Sequence, residues 1–373
     1  MISAFINKDK LRSRPVASYK AEGTGSKDAA KIGGEVISAF INKDKLRSRP
    51  SASYISGWLF SSAELDTANL KFINELNPFS EWEILPTGKI KFRWGILPHS
   101  LKIKHKATIP TFRAIASQFN QIKSNAGMDI LAGEIISKLS PDNGIELNIE
   151  SDWKKKEAVN ELVMLKFLPK IKTASGNISL CVERDMIYRW RPDTWSQVDK
   201  LVSQYKLLLY DYNKKANVAC AGAPVPQIRE DVKRFLKLVP YPEKVILGVP
   251  THGFFWLGQE DGSYRYQGPV WYSKGLSFPK ISSIPVTSYI EKMKGNERQI
   301  IPVAGEIINW DKYSLTPYIA FYKGDKRCEI WYENADSLRQ KIEEITRPFK
   351  LKGVALWRFG MEDTRIWKYY EEE

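Results

Sequence analysis

The feature that most constrains the fold is a regular alternation of short apolar runs with longer amphipathic stretches after Pro50. Runs rich in β-branched and aromatic residues predict strands, and apolar residues that recur every three or four positions predict helices. Helical patterns separate most of these runs, for instance at 128–138, 154–171, 194–204 and 227–238. The predicted strands cover residues 52–60, 79–85, 107–112, 144–150, 177–183, 206–212, 244–250 and 353–359.

Eight strands that alternate with helices predict an α/β fold, and specifically a (β/α)8 TIM barrel rather than an open doubly wound sheet. Residues 254–335 interrupt this alternation. They contain aromatic-rich pieces predicted as strands at 263–272, 316–322 and 327–332, and a predicted helix at 286–294. We therefore expect a small α+β insertion between strands 7 and 8, which would form one wall of a cleft.

The N-terminal region contains a duplicated stretch of 18 residues. Residues 2–19 and 37–54 are identical except at one position, and the segment between them is rich in Gly, Ala, Ser and Lys, as flexible linkers are. Two copies are too few for a solenoid. One interpretation is a recent tandem duplication, or a start site that has been placed too far upstream. The other is a basic tail that binds an acidic partner. Residues 1–50 are predicted to be a flexible basic segment and 51–373 the barrel domain.

The formal net charge of +14 raises the question of an anionic partner. The Lys and Arg residues are scattered and no nucleic-acid motif is recognisable, so we expect no nucleic-acid partner. A basic surface would also attract anionic cell-wall polymers. No apolar run approaches the roughly 18 residues of a membrane span. The N-terminal apolar stretch is too short for a secretory signal, so we expect a cytoplasmic protein or one exported by a non-standard route, and a monomer.

The cysteines and histidines predict neither a disulfide framework nor a metal site. Cys181, Cys220 and Cys328 are odd in number and far apart, and the three histidines lack a metal-binding spacing. No Gly-rich phosphate loop follows a predicted strand. The sequence therefore predicts no cofactor. The 12 Trp and 17 Tyr offer flat faces that suit sugar rings, although large aromatics are also common in protein cores.

Residues 143–150 (NGIELNIE) carry polar side chains at alternate positions. In a strand, Glu146, Asn148 and Glu150 would share one face, and the intervening Ile and Leu side chains would pack on the other. Catalytic groups of a closed parallel barrel project from the C-terminal ends of its strands, so Glu150 would lie at the mouth. An edge strand with a solvated polar face shows the same alternation.

Several segments together resemble glycoside hydrolase family 18, the chitinases and chitinase-like proteins, and especially compact bacterial cell-wall and spore-cortex hydrolases. The octapeptide is similar to the family's D-x-x-D-x-D-x-E strand, with Glu150 at the catalytic glutamate. Residues 209–212 resemble its M-x-Y-D segment, 244–253 its K-x-x-L-G-x-P-x-Y-G strand, and 353–363 its last strand with a floor tryptophan. The resemblance covers about residues 52–370 in the expected order.

The resemblance implies substrate-assisted, retaining hydrolysis of β-1,4-linked N-acetylglucosamine polymers, either chitin or peptidoglycan. Glu150 would be the general acid/base, and Glu146 the neighbouring carboxylate that raises the pKa of Glu150. The family's three upstream aspartates are Asn143, Glu146 and Asn148 here. Asn148 can accept a hydrogen bond from the acetamido N–H but supplies no charge. Losing one such preorganised contact slows catalysis by about a hundred- to a thousand-fold.

The resemblance also assigns the substrate contacts. Tyr210 and Asp211 would hold the acetamido group, and Trp357 would form the floor beneath the sugar. Trp58 and His252 are further binding candidates, and His252 stands where the family usually has tyrosine. Alternatively, Tyr210 and Trp58 are core aromatics and Asp211 is a helix cap. The leading hypothesis is a slow glycosidase of this family, and the alternative is a catalytically silent, chitinase-like carbohydrate-binding protein. The presence of Glu150 favours the glycosidase, and Asn148 in place of the family's aspartate favours the carbohydrate-binding protein.

Overall fold

The computed structural model describes residues 54–60, 67–98, 107–139, 144–271, 288–294, 297–303, 308–323 and 325–371. The predicted N-terminal segment and Asn143 lie outside these ranges. None of the helices in the described part of the chain is long and apolar enough to cross a membrane.

Eight parallel strands close into a barrel, as predicted. Their order around the barrel is β1-β2-β5-β6-β7-β8-β9-β17, and β17 pairs with β1 to complete the ring. The strand that ends at Glu150, β6, is the fourth of the eight. The strands of the described chain are β1 (Ile55–Leu59), β2 (Glu75–Ile84), β3 (Ile90–Gly95), β4 (Ala107–Thr108), β5 (Thr111–Ile115), β6 (Ile145–Glu150), β7 (Ile178–Glu183), β8 (Gln204–Leu208), β9 (Val245–Pro250), β10 (His252–Gly258), β11 (Tyr264–Trp271), β12 (Ser288–Lys294), β13 (Glu297–Val303), β14 (Ile308–Asp311), β15 (Thr316–Lys323), β16 (Lys326–Trp331) and β17 (Gly353–Trp357).

Helices cover the outside of the barrel, and their apolar faces form the main core together with the outward side chains of the strands. The predicted helix at 154–171 begins only at Glu161, because the side chain of Asn160 accepts hydrogen bonds from the N–H groups of Leu162 and Val163 and caps the helix there. The described helices are α1 (Ala116–Phe119), α2 (Asn125–Leu139), α3 (Glu161–Ser175), α4 (Arg184–Arg189), α5 (Pro192–Asp199), α6 (Val225–Leu238), α7 (Ala335–Lys341, continued by a π-helical turn at Ile342–Thr346) and α8 (Arg365–Glu371), with 3-10 turns at Thr67–Phe72 and Pro242–Lys244.

The insertion between barrel strands 7 and 8 is present, and its strands form a second sheet in the order β12-β13-β11-β10-β16-β15-β14. Phe254, Trp256 and Trp331 of this sheet pack against Ala221. Ala221 belongs to the loop that follows β8, so the insertion supports one side of the barrel mouth.

The predicted helix at 286–294 is wrong, because this segment contributes β12, which pairs antiparallel with β13. Lys294 pairs with Glu297, and only Gly295 and Asn296 lie between them in the sequence. A two-residue Gly-Asn link between two such runs is a hairpin signal. The local helical pattern was therefore overridden by pairing with the following segment.

Candidate active site

The alternating side chains of β6 divide between the barrel interior and the outer core. Ile145, Leu147 and Ile149 are buried in the core beneath the helices. Glu146, Asn148 and Glu150 point into the barrel, where the carboxylate of Glu146 contacts side chains from four other strands. Glu150 is the last residue of β6 and its side chain is 27% exposed at the C-terminal mouth.

An arginine from β5 forms an ion pair with Glu150. One guanidinium nitrogen of Arg113 lies 2.7 Å from Glu150 Oε2, and another lies 2.6 Å from the carboxylate of Glu81 on β2. Burial lowers the pKa of Arg113, but the charges of these carboxylates outweigh that effect and raise it. Arg113 therefore links the carboxylates of Glu81 and Glu150 across the barrel mouth.

Asn148 lies directly below Glu150 on the same face and is 1% exposed. Its amide nitrogen donates a hydrogen bond to Glu150 Oε1 at 2.9 Å. Its amide oxygen is buried and has no hydrogen-bond partner in the described part of the chain. A buried carbonyl oxygen without a donor is costly, so this atom is suited to accept a bond from a ligand N–H.

Glu146 is fully buried and does not act as the charged neighbour of Glu150 expected from the sequence. Its carboxylate accepts hydrogen bonds from Trp58 Nε1 at 2.5 Å and Thr111 Oγ1 at 2.8 Å, and its other oxygen lies 2.5 Å from Lys206 Nζ. The cation of Lys206 compensates its charge inside the barrel.

The carboxyl group beside Glu150 comes instead from Glu183, the last residue of β7. Ser151 donates to Glu183 Oε2 from both its backbone N–H (2.8 Å) and its hydroxyl (2.6 Å). Burial raises the pKa of Glu183 to about 7; the bonds from Ser151 oppose this increase, and the charges of Glu150 and Asp185 add to it.

Tyr210 and Asp211 follow β8 at the same mouth. Asp211 adopts a φ of 63° and its carboxylate contacts His252 Nε2 at 2.9 Å and Lys214 Nζ at 2.7 Å. Burial alone would raise the pKa of Asp211, but the interactions with His252 and then Lys214 lower it. Burial, followed by the charges of Asp211 and Glu150, raises the pKa of Tyr210. Of these residues, Tyr210 interacts electrostatically with Glu150, and Asp211 pairs with His252 and Lys214 instead of capping a helix.

Space for Tyr210 depends on a glycine in β9. A Cβ atom at Gly248 would lie 3.3 Å from Tyr210 Cε1 and 2.7 Å from the carbonyl oxygen of Leu207. Any side chain here would push the tyrosine ring or the neighbouring strand away.

The two predicted stacking tryptophans differ in their surroundings. Trp357 ends β17 and is partly exposed, with edge contacts to Trp58, Phe60 and Phe79 at centroid distances of 5.3, 5.5 and 5.0 Å. Trp58 is 0% exposed and its indole N–H bonds to Glu146. The expectation that Trp58 stacks on a sugar is therefore wrong, because no face of its ring reaches the mouth; the interpretation as a packing residue applies.

Three residues of the site were missed in the sequence: Arg113, Glu183 and Lys206. Glu183 ends an apolar run just as Glu150 does, so the same strand-end signal would have identified it. Arg113 and Lys206 lie within apolar runs, where a buried charge is rare unless it is paired. Such charges are a signal of an interior ion pair, although the sequence does not reveal the partners.

Comparison with known proteins assigns this barrel with acidic residues at its C-terminal mouth to a class of glycosidases. The family model of glycosyl hydrolases family 18 matches residues 138–362, which is more than half of the chain. The chain therefore belongs to glycosyl hydrolases family 18 and is a glycosidase. No curated protein sequence matches it.

Solved structures share the fold at low sequence identity. The spore cortex-lytic enzyme SleL of Bacillus megaterium QM B1551 is 15% identical over 86% of this chain and 73% of its own, with a TM-score of 0.60. A chitinase of Chromobacterium violaceum ATCC 12472 is 15% identical over 86% and 98%, with a TM-score of 0.62. A family 18 N-acetylglucosaminidase of Paenibacillus barengoltzii is 15% identical over 86% and 99%, with a TM-score of 0.60.

Proposed function

We propose that the protein hydrolyses β-1,4-linked, N-acetylglucosamine-containing polysaccharide, chitin or peptidoglycan, with Glu150 as the general acid/base. The observation that carries this proposal is the position of Glu150, partly exposed at the barrel mouth and hydrogen-bonded to Asn148. Proteins of the same fold include chitinases and a spore cortex-lytic enzyme, which supports a substrate of this class.

The chemistry requires one acid and a correctly held acetamido group. In substrate-assisted retention, the carbonyl oxygen of the substrate's own N-acetyl group attacks C1 while Glu150 protonates the leaving oxygen. The ionised Glu150 then takes a proton from the water that opens the oxazolinium intermediate. The unpartnered amide oxygen of Asn148 accepts the acetamido N–H, the hydroxyl of Tyr210 donates to the acetamido oxygen, and Trp357 supports the sugar ring.

The amide at position 148 limits the rate of this reaction. The oxazolinium intermediate is positively charged, and a neutral amide orients it without stabilising its charge. A missing preorganised contact of this kind lowers turnover by about a hundred- to a thousand-fold. We therefore expect slow hydrolysis.

Product analysis tests this function. Wild type and Glu150→Gln are incubated with chitin oligomers and with purified peptidoglycan, and released fragments are separated by chromatography and identified by mass. Wild type should release N-acetylglucosamine-terminated fragments from at least one polymer, and Glu150→Gln should release none while still binding. Glu230→Gln serves as the control, because it removes an exposed carboxylate on α6 that pairs with Lys233. Binding without hydrolysis by the wild type would contradict the proposal and favour a carbohydrate-binding protein.

A further inference from the structure

We propose that Glu183 is a second working carboxyl group of the active site, which shares one proton with Glu150 and replaces the neighbouring carboxylate that Asn148 does not provide. This inference rests on the proposed role of Glu150. Glu183 acts through Glu150, so it is a positioning residue for the proton.

Strand register places the two groups side by side. Along β6 and β7, Ile145 pairs with Ile178 and Leu147 with Leu180. The same offset brings Glu150 opposite Glu183, and each is the last residue of its strand. Neighbouring strands lie about 4.8 Å apart, and residues in register on parallel strands project to the same side of the sheet. Both carboxyl groups therefore occupy the same part of the barrel mouth.

Hydrogen bonds hold Glu183 toward β6. Both bonds from Ser151 reach the same oxygen, Oε2, and Ser151 directly follows Glu150 in the chain. The carboxyl group of Glu183 is thus tied to the backbone that carries the proposed acid, and its position follows that of Glu150.

The two carboxyl groups have different electrostatic surroundings. Glu150 forms an ion pair with Arg113 at 2.7 Å, whereas the carboxyl group of Glu183 is bonded to Ser151. The charged groups that act on Glu183 from packed elements are Glu150 on β6, Arg113 on β5 and Asp185 on α4. The pKa of Glu183 is about 7, so between about pH 4.5 and pH 7 this residue retains a proton that an ordinary glutamate has lost. Two interacting carboxyls in unequal surroundings titrate as a pair and hold one proton between their two macroscopic pKa values.

This pair accounts for how an acid that forms an ion pair with arginine remains able to donate a proton. Negative charges on neighbouring carboxyl groups repel each other, so ionisation of one group opposes ionisation of the other and favours a state of the pair with one proton. When Glu150 protonates the glycosidic oxygen, the C1–O bond breaks with its electrons on the leaving oxygen. The proton lost by Glu150 is regained from the water that attacks the oxazolinium, and Glu183 keeps that proton on the pair.

A direct titration tests the coupling without any need for turnover. The protein is labelled with 13C at the glutamate side-chain carboxyls, and the spectra of wild type and Glu183→Gln are compared to assign the resonance. Glu183 should titrate near pH 7. Glu150→Gln should lower the pKa of Glu183, because it removes a negative neighbour. Ser151→Ala should raise that pKa, because it removes a hydrogen bond to the ionised form. Asp129→Asn, on the exposed surface of α2, is the control and should leave the pKa of Glu183 unchanged.

The kinetic measurement separates this inference from the proposed function. In Glu183→Gln, the alkaline limb of the pH profile of kcat/KM should move to lower pH. For each pH unit by which this limb moves, kcat/KM at pH 8 should fall about tenfold. The value of KM should change little. The inference is overturned if Glu183 titrates like an ordinary glutamate, or if Glu150→Gln leaves its titration unchanged. An unshifted pH profile in Glu183→Gln, together with inactive Glu150→Gln, would overturn the inference and leave the proposed function intact.

Discussion

Replacing Lys206 with methionine should destabilise the barrel strongly, because its ammonium group neutralises two carboxylates in the interior. The side chain is 0% exposed, and Nζ lies 2.7 Å from Glu75 Oε1, 2.6 Å from Asn77 Oδ1 and 2.5 Å from Glu146 Oε2. Removing one member of a buried ion pair costs about 3–5 kcal/mol, because the remaining charge is left without a counter-ion. A typical domain has only about 5–15 kcal/mol of stability, so the loss would be a large part of the total.

The pH dependence of this loss follows from Glu75. Burial raises the pKa of Glu75, but the charge of Lys206, with hydrogen bonds from Lys206, Tyr54 and Gln204, lowers it to about 2. A depressed pKa in the folded state gives stability that is present above the unfolded value of about 4.5 and is lost as the pH falls toward 2. Without Lys206 this benefit disappears, so the variant should lose more stability at pH 7 than at pH 4, and least as the pH approaches 2.

Urea unfolding followed by circular dichroism at pH 7 and pH 4 measures this effect. The matched control combines Lys206→Met with Glu75→Gln and Glu146→Gln, which removes both stranded charges and should recover much of the loss. A loss below about 1 kcal/mol at pH 7 that does not change with pH would refute the reasoning, because surface ion pairs are worth no more than that.

Three further predictions concern Asn148, Glu183 and the N-terminal segment. Asn148→Asp should raise turnover on N-acetylglucosamine oligomers by about one to three orders of magnitude, the size expected for restoring an oriented charge; equal turnover of the two proteins would show that this position does not limit the rate. Glu183→Gln should increase the free energy of unfolding at pH 8 by up to about 3 kcal/mol and leave it nearly unchanged at pH 4, because a pKa raised to about 7 makes ionisation costly in the folded state as the pH rises from about 4.5 to 7; an increase of the same size at both pH values would indicate packing instead. A protein that begins at Ser51 should keep its melting temperature within a few degrees, and a large decrease in differential scanning calorimetry would mean that residues 1–50 contribute to the fold.

The barrel and the inward face of β6 could be predicted from the sequence because both depend on local periodicity. Outward residues such as Leu147 are apolar and inward residues such as Asn148 are polar, so the period of two is visible in the chain itself. The prediction of a helix at 286–294 was wrong because the conformation of this segment does not depend on local periodicity. Its strand conformation depends on pairing with β13, and local propensity is a weak guide where a partner strand decides.

The ion pairs of the site could be predicted only in part. Arg113 and Glu150 are 37 residues apart, and Lys206 and Glu75 are 131 apart, so the sequence shows a buried charge but not its partner. Trp58 was expected at the mouth because it lies near the end of β1, but closure of the barrel placed its indole below that level, against Glu146. Depth within the barrel is a property of the closed ring of strands, and no single strand encodes it.

The most direct test of the central claim is the anomeric configuration of the first product. Hydrolysis of an N-acetylglucosamine oligomer is followed by proton NMR during the first minutes, before the new reducing end mutarotates. Retention assisted by the substrate predicts that the β-anomer forms first, that Glu150→Gln forms none, and that fully deacetylated oligomers, which lack the attacking carbonyl, are not cleaved. Initial formation of the α-anomer, or cleavage of deacetylated and acetylated oligomers at equal rates, would contradict the account.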